Sequence, residues 1–344
     1  MTERIESLDT LKGLALFAVV IIHIRGEFIG RELIPGILDF ILLNSSRIGV
    51  SLFFLISGFL LKKKFEQRDT KKYTVNYVKN LIYYYILATG LYLSLQTGLI
   101  LIQSYTSISL PRTVSMTSSL TGLIFDFFYT GYAVRMSLWF FTALIFSTLI
   151  IYLANKYRKI NALLLIASLL HFIGVAVNSY QFFDLPIPPR DAIFFGLVYT
   201  SVGFKIAEFK LEKIRNHRSK LIWISGLLLL FHLAERFLIT DIVGVKPFFW
   251  QDYSFLTLPL TTSLFLLGLS IPNLSAETRL NTYGKYTLLG YIFHQIVGAI
   301  LTGLTIGIGA VSGTSLLQNS TINLVLVILT YIFTMEAVLK YRER

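Results

Sequence analysis

Lys12 and His23 stand eleven residues apart in an otherwise apolar stretch, and their types can act together chemically. An α-helix turns about 100° per residue, so this spacing returns His23 to within about 20° of the face of Lys12. Along the axis the two lie roughly 16 Å apart. One face of one helix then carries a cation near one end and an imidazole deep inside. A neutral imidazole takes a proton from a hydroxyl while a fixed cation stabilises the negative charge that develops. A histidine in a membrane cavity also relays protons in transport. Spacing alone leaves both chemistries open.

The elements that must position these residues are membrane helices. Of the 344 residues 54% are hydrophobic and 15% charged, and the mean hydropathy is +0.67. These values describe an all-α polytopic membrane protein embedded in a lipid bilayer. Apolar runs of spanning length place helices at 8–29, 37–61, 80–103, 138–154, 160–178, 190–207, 221–239, 254–270, 285–305 and 320–339. The first run ends in His23-Ile24-Arg25-Gly26-Glu27, without a small-residue cleavage pattern, and reads as an uncleaved span. Most of the 31 lysines and arginines then fall on one side, in loops such as 62–79, 156–159 and 205–220. That asymmetry orients both termini towards the cytoplasm in a multi-pass cell-membrane protein. The net charge of +12 thus reports topology, and nucleic acid is not an expected partner. The absence of cysteine excludes disulfides, thiolate metal sites and cysteine nucleophiles. No tract points to a bound metal. The chain reads as a single membrane domain over 1–344. Its outer segment 104–137 begins rich in Ser and Thr, and continues with Leu120, Leu123, Ile124, Phe127 and Phe128 at the spacing of an interfacial helix.

Each charged group inside a bilayer costs about 2.5–3.5 kcal/mol on insertion scales, so each one asks for a reason. Counting along the helices puts His23, Arg47, Glu235 and Arg236 at one level in the outer third of the membrane, roughly 20 Å from the inner end. His294 lies about 14 Å up its own helix from Lys285, flanked by Tyr291 and Gln295. Structural readings stand beside the chemical ones: Arg47 pairing with Glu235, Arg236 snorkelling to the interface, Lys12 pairing with Asp9, and His171 and His232 serving as packing residues.

These residues resemble those of the acyltransferase-three family of integral-membrane acyltransferases. Ser7-Leu8-Asp9-Thr10-Leu11-Lys12-Gly13-Leu14-Ala15 through His23 is similar to its first-helix signature, with Lys12 where the family carries arginine. Gly49-Val50-Ser51-Leu52-Phe53-Phe54-Leu55-Ile56-Ser57-Gly58-Phe59 resembles its second-helix motif, and Ser137-Leu138-Trp139-Phe140 its middle-helix tryptophan. Two weaker similarities lie at Arg190 to Gly203 and Tyr291 to His294. The resemblance implies transfer of an acyl group, often acetyl, from cytoplasmic acyl-CoA to a hydroxyl of a cell-envelope carbohydrate or glycolipid. Acyl-CoA is then a donor substrate, with no permanently bound cofactor. On this reading His23 is the general base and Arg47 holds the acceptor or the oxyanion. Lys12 meets the CoA phosphates, while Ser57, Trp139, Glu235, Arg236 and His294 line or support the site. Lysine keeps the charge of arginine but loses its bidentate phosphate geometry. The other reading of the same polar level is an exporter or flippase for a sugar or other envelope component.

Overall fold

The computed structural model describes residues 5–29, 36–106, 119–241, 253–312, 316 and 319–343, all in helices and their connections. In chain order the helices are α1 (Glu6–Ile29), α2 (Ile37–Ser46), α3 (Ile48–Phe65), α4 (Thr70–Thr106), α5 (Leu120–Phe125), α6 (Trp139–Lys156), α7 (Ile160–Asn178), α8 (Leu197–Ile206), α9 (Leu211–Arg215), α10 (Arg218–Asp241), α11 (Thr257–Ser270), α12 (Arg279–Gly284), α13 (Thr287–Ser312) and α14 (Ser320–Arg342). Among the described residues, seven segments are long and apolar enough to cross a membrane: Glu6–Ile24, Ile37–Phe65, Met136–Lys156, Ile160–Asn178, Arg218–Thr240, Thr287–Gly309 and Thr321–Arg342. The chain is therefore an all-α, multi-pass membrane protein.

Each helix expected from the apolar runs is present, with differences of physical origin. The third begins at Thr70, ten residues before its apolar run, because Asp69 accepts the Lys72 amide at 2.6 Å and starts the helix inside the polar stretch. The second is interrupted at Arg47, which closes α2 with a helical φ of −59° before α3 resumes at Ile48. The interfacial stretch is helical from Leu120, where the Ser119 hydroxyl accepts the Gly122 amide at 3.1 Å. It widens into a π-turn over Asp126–Thr130 and leaves Leu120, Ile124 and Phe128 exposed. Residues 107–118 of the outer segment lie outside the described residues.

The helices group into two units interleaved along the chain. The first comprises Met1–Ile56, Asn178–Gln181 and Phe209–Arg344; the second comprises Ser57–Val177 and Phe182–Glu208. In the first unit α1 is buried on most of its circumference, through Leu8, Leu11, Ala15, Leu16, Val19 and Val20. A helix apolar all round belongs in the interior of a membrane bundle. Its initial N–H groups, which have no partner within the helix, are met from the segment before α12: the Ser7 amide donates to Pro272 O at 2.9 Å. The Thr10 hydroxyl donates to Leu274 O at 2.6 Å, and the Asn281 side chain donates to Glu6 O at 2.7 Å. Gly284 completes this clamp, since a Cβ there would sit 1.7 Å from the Asp9 carbonyl oxygen. Beside it the Tyr331 hydroxyl of α14 donates to Gly13 O at 2.9 Å, and the Tyr331 ring packs edge-on to that of Tyr283 in α12.

In the second unit α3 and α8 approach backbone to backbone: a Cβ on Gly58 would fall 1.9 Å from Thr200 O. The Tyr85 hydroxyl of α4 donates to Phe127 O at 2.7 Å and ties the interfacial turn down. Such contacts satisfy polar groups where the bilayer offers no water. Substituting Gly284 by Val should force the 272–284 segment off α1 and destabilise the protein by about 1–3 kcal/mol or more. A fluorescence-monitored thermal unfolding midpoint in detergent, lower than wild type by several degrees, checks this; an unchanged midpoint would remove the clamp from the account.

Candidate functional site

His23 and His294 meet. Their ring centroids lie 5.2 Å apart with planes inclined at 47°. This follows from how α13 lies along α1: a Cβ on Gly290 would press on Leu16 and one on Gly298 on Ile24, the same offset twice. The two helices therefore run parallel in constant register, and His294 comes level with Val20, about 4.5 Å below His23. The separate counts along each helix put the two histidines at more distant heights. They had no common origin, which the α12 clamp supplies by setting the start of α13 beside Asp9. His294 is fully buried and His23 half-buried. The His294 Nδ1 lies 2.7 Å from Tyr291 O, and the Tyr291 ring packs 5.6 Å from that of His294. A carbonyl oxygen only accepts, so Nδ1 carries the hydrogen and Nε2 of the neutral ring is the acceptor nitrogen.

Lys12 lies about one turn inward from Leu16 on the same helix, and its Nζ is 2.7 Å from Asp9 Oδ1. The pairing weighed for these residues is present, with the Lys12 side chain 22% exposed and that of Asp9 7%. The ammonium is held at the end of α1 and still reaches the surface.

A second polar group gathers where α2 breaks. Arg236 is 1% exposed, and its Nε donates to Asn44 Oδ1 at 2.7 Å. It therefore does not snorkel to the interface. His232, one turn below, is also buried; its Nε2 lies 3.3 Å from Asn44 O and its Nδ1 3.3 Å from Ser254 Oγ. Glu235 accepts from the Ser254 hydroxyl at 2.7 Å, the Phe255 amide at 2.8 Å, the Leu256 amide at 2.9 Å and the Tyr180 hydroxyl at 2.9 Å. Its carboxylate thus anchors the chain entering α11, and the bridge from Glu235 to Arg47 weighed above gives way to this role. Burial and the neighbouring Glu235 charge push the Tyr180 phenol up, so it stays a donor. Arg47 itself is buried at the α2–α3 break, 8% exposed. Asn44 and Ser254 are members of this network that motif reading passed over. Their signal in the sequence was a lone amide and hydroxyl beside apolar runs, which becomes informative only once Arg236 is seen to need partners.

Ser57 and Trp139 belong to the second unit. Ser57 is half-buried on α3 and hydrogen-bonds the Tyr77 hydroxyl of α4. Trp139 opens α6 and packs edge-on to Phe195 at 5.5 Å. The Arg190 guanidinium lies 5.4 Å from the Trp139 ring and 5.5 Å from that of Tyr132, and its Nε donates to Tyr132 Oη at 3.2 Å. A cation held between two aromatic faces is fixed in place. Next to it, Asp191 caps the following turn by accepting the Ile193 and Phe194 amides at 2.8 and 3.0 Å, and it also accepts from Tyr129. Burial raises its carboxyl above the ordinary range, and those hydrogen bonds work against the rise. His171 donates from Nδ1 to Phe194 O at 3.1 Å, in keeping with a packing role.

Imidazoles and guanidinia buried inside an apolar bundle mark this multi-pass membrane protein's candidate functional positions. The family model described as "Acyltransferase domain" matches residues 5–337, and the chain belongs to this acyltransferase-three family. A protein named "Amino-acid racemase" from Enterococcus faecalis is 22% identical over 366 residues, a match covering 100% of this chain and 47% of that protein. The chain spans about half the length of the curated relative it matches. No solved structure matches it.

The Asn44 contact is testable by stability. Asn44→Leu removes a hydrogen bond to a buried guanidinium and should cost about 1.5–3 kcal/mol. Asn44→Asp, which keeps the acceptor, should unfold at or near the wild-type temperature in the same detergent. Equal loss in both variants would show that Asn44 matters for its shape alone.

Proposed function

We propose that this chain transfers an acyl group, most simply acetyl, from cytoplasmic acyl-CoA to a hydroxyl of a cell-envelope carbohydrate or glycolipid. The observation that carries the reading is the half-buried His23 imidazole on α1, in a chain that belongs to the acyltransferase family over 5–337. His23 takes the acceptor hydroxyl proton as the oxygen attacks the thioester carbonyl. The carbon–sulfur bond breaks, and the CoA thiolate recovers the proton from His23. The oxyanion formed on the way needs a fixed positive charge, and Arg47, buried at the helix break, is assigned that task or the holding of the acceptor. Lys12 is assigned the donor phosphates, aided by the lysine-rich loops on the same side. Asp9 beside it keeps the ammonium in place and weakens its pull on an anion. Glu235 and Arg236 are assigned to shaping and bracing the site.

The topology that goes with this reading has ten spans and both termini in the cytoplasm. The seven long apolar helices support it, together with α4 and the shorter apolar segments Ala192–Ile206 and Thr257–Ser270. The lysines and arginines collect on one side of such a path.

His23→Ala should lower acyl transfer by about 100-fold or more while expression and membrane insertion stay as in wild type. Purified protein incubated with labelled acetyl-CoA and an envelope carbohydrate extract gives the measurement, and wild-type turnover by the variant would sink the assignment. Lys12→Gln should raise KM for acetyl-CoA several-fold with little change in kcat, and Lys12→Arg should lower it. An unchanged KM in both would take Lys12 out of donor binding.

The name of the Enterococcus relative favours one second reading. If the matched half of a racemase serves the chemistry in its name, a membrane part of this kind passes a small polar molecule across the bilayer, as an exporter or flippase does. A protein acting only in that way would neither consume acetyl-CoA nor release free CoA.

A further inference from the structure

We infer that the cleft between α12 and the last turns of α14 is a binding site for the headgroup of a zwitterionic, amine-bearing phospholipid. The inference stands whichever reaction the chain performs. The cleft measures about 530 Å³, within the roughly 300–1,000 Å³ of small-molecule sites. Arg279 of α12 forms one wall, and Phe333, Glu336, Ala337, Lys340 and the C-capping Glu343 of α14 form the other. Spaced by three, one, three and three residues, these α14 positions share one face of the helix. From Phe333 to Glu343 they cover about 15 Å of its axis. Over that distance the wall changes from apolar, at the exposed Phe333 and Ala337, to charged, at Lys340 and Glu343. The membrane-crossing stretch Thr321–Arg342 ends here, so the change falls where hydrocarbon gives way to headgroups.

The charges select the ligand. Arg279 and Lys340 are balanced by Glu336 and Glu343, so a purely anionic headgroup would meet like charges as well as opposite ones. A headgroup with one phosphate and one ammonium matches both signs. Arg279 offers a planar fork to phosphate, and Lys340 adds a point charge. The Arg279 side chain is 73% exposed, and its 3.5 Å ion pair with Glu336 Oε1 uses a single terminal nitrogen, which leaves the rest of the fork for phosphate oxygens. The Tyr283 hydroxyl donates to the same Glu336 oxygen at 2.5 Å. Oε2 of Glu336 is therefore the oxygen left for an ammonium, with Glu343 about two turns further along the same face. The carboxyl end of α14 carries partial negative charge and favours a cation at the same place. Phe333 and Ala337 receive the start of the acyl chains, which a soluble zwitterion lacks. A headgroup held in this way ties α12 to α14 beside the Tyr283–Glu336 bond. It also braces the grip on α1, because α12 lies against Gly13 at Leu280 and bonds Glu6 O through Asn281.

The test uses the full chain, purified in detergent and freed of lipid. The probes are dioctanoyl phosphatidylethanolamine, dioctanoyl phosphatidylglycerol and soluble phosphoethanolamine. Native mass spectrometry counts bound probe, and the thermal unfolding midpoint reports its effect on the fold. Wild-type protein should hold phosphatidylethanolamine about tenfold more tightly than phosphatidylglycerol, with the midpoint raised by several degrees at saturation. Arg279→Gln and Lys340→Gln should each weaken that binding by about tenfold and remove most of the rise. Glu343→Gln leaves the Tyr283–Glu336 bond in place and should bring the two lipids to within about twofold of each other, because one charge opposing the anionic lipid is gone. A purely structural role for Glu343 would instead weaken both lipids alike. Lys340 and Glu343 are exposed, so their variants test the site without cutting into the packed interior. Equal affinity of wild-type protein for the two lipids, or wild-type binding by all three variants, overturns the inference. Phosphoethanolamine bound as tightly as the lipid overturns it as well, since the cleft would then take a soluble zwitterion.

Discussion

A bilayer offers a buried imidazole or guanidinium no water, so the protein must supply every partner such a group has. This constraint explains why the polar residues of this chain occur in contact and seldom alone. Arg236 reaches the side-chain oxygen of Asn44, His232 lies between Asn44 and Ser254, and Glu235 takes three donors from the approach to α11 and a fourth from Tyr180. Each is carried on a helix whose other neighbours are apolar. The groups closest to the proposed chemistry, His23 and His294, lie in ring contact with each other.

Satisfying such groups requires the helices that carry them to be set at fixed heights, and backbone contacts do the setting. The segment 272–284 grips the first turns of α1 through Ser7, Thr10 and Glu6 and lays Gly284 against the Asp9 carbonyl. Because α13 starts three residues later, its height beside α1 is determined by that grip. A side chain on Gly284 would collide with the Asp9 carbonyl and so disturb the height at which α13 starts beside α1. Tyr331 adds a second hold on α1 from α14, and Tyr283 of α12 hydrogen-bonds Glu336 of α14 at 2.5 Å, which links both holds. Burial and that carboxylate push the Tyr283 phenol up to about 12, so the donor keeps its proton throughout the ordinary pH range.

Much of this was legible in the sequence, in a graded way. Helix existence was, because an apolar run of spanning length has few alternatives in a membrane. The boundaries of α4 were not, because the helix begins in polar sequence at Asp69 and Thr70 before its apolar run. Polar residues could be picked out one by one, since a charge in an apolar run stands out. Their partners could not. Heights counted separately on two helices share no zero, so the gap between His294 and His23 came out larger than the contact of their rings allows, and Arg236 was open to a snorkelling reading that its burial excludes. Glu235 was near enough to Arg47 in height for a bridge, yet its oxygens are filled from a connecting segment whose direction no helical count could supply. Pairings of this kind arise from tertiary packing, and the glycines that permit them show no partner until two backbones are seen together.

The Lys12–Asp9 contact illustrates how one substitution redistributes a task. Where the family carries an arginine, this chain has a compact ammonium with three donors on a flexible stem, and Asp9 occupies one of them. A guanidinium in that place would have donors left in a planar fork for a phosphate. The ammonium, once paired, offers an isotropic charge partly cancelled by its neighbour. The backbone of Asp9 is pinned by Gly284, so its carboxylate is among the least movable groups near the end of α1. On the proposed reading, an anion at Lys12 would meet a point charge partly cancelled by Asp9 in place of a bidentate contact. Such attraction is long-ranged and weakens with salt, whereas a fork-to-phosphate contact keeps more of its strength. At the far end of the helix, His23 is positioned by the packing of α1, whose first turns are gripped by the 272–284 segment and by Tyr331.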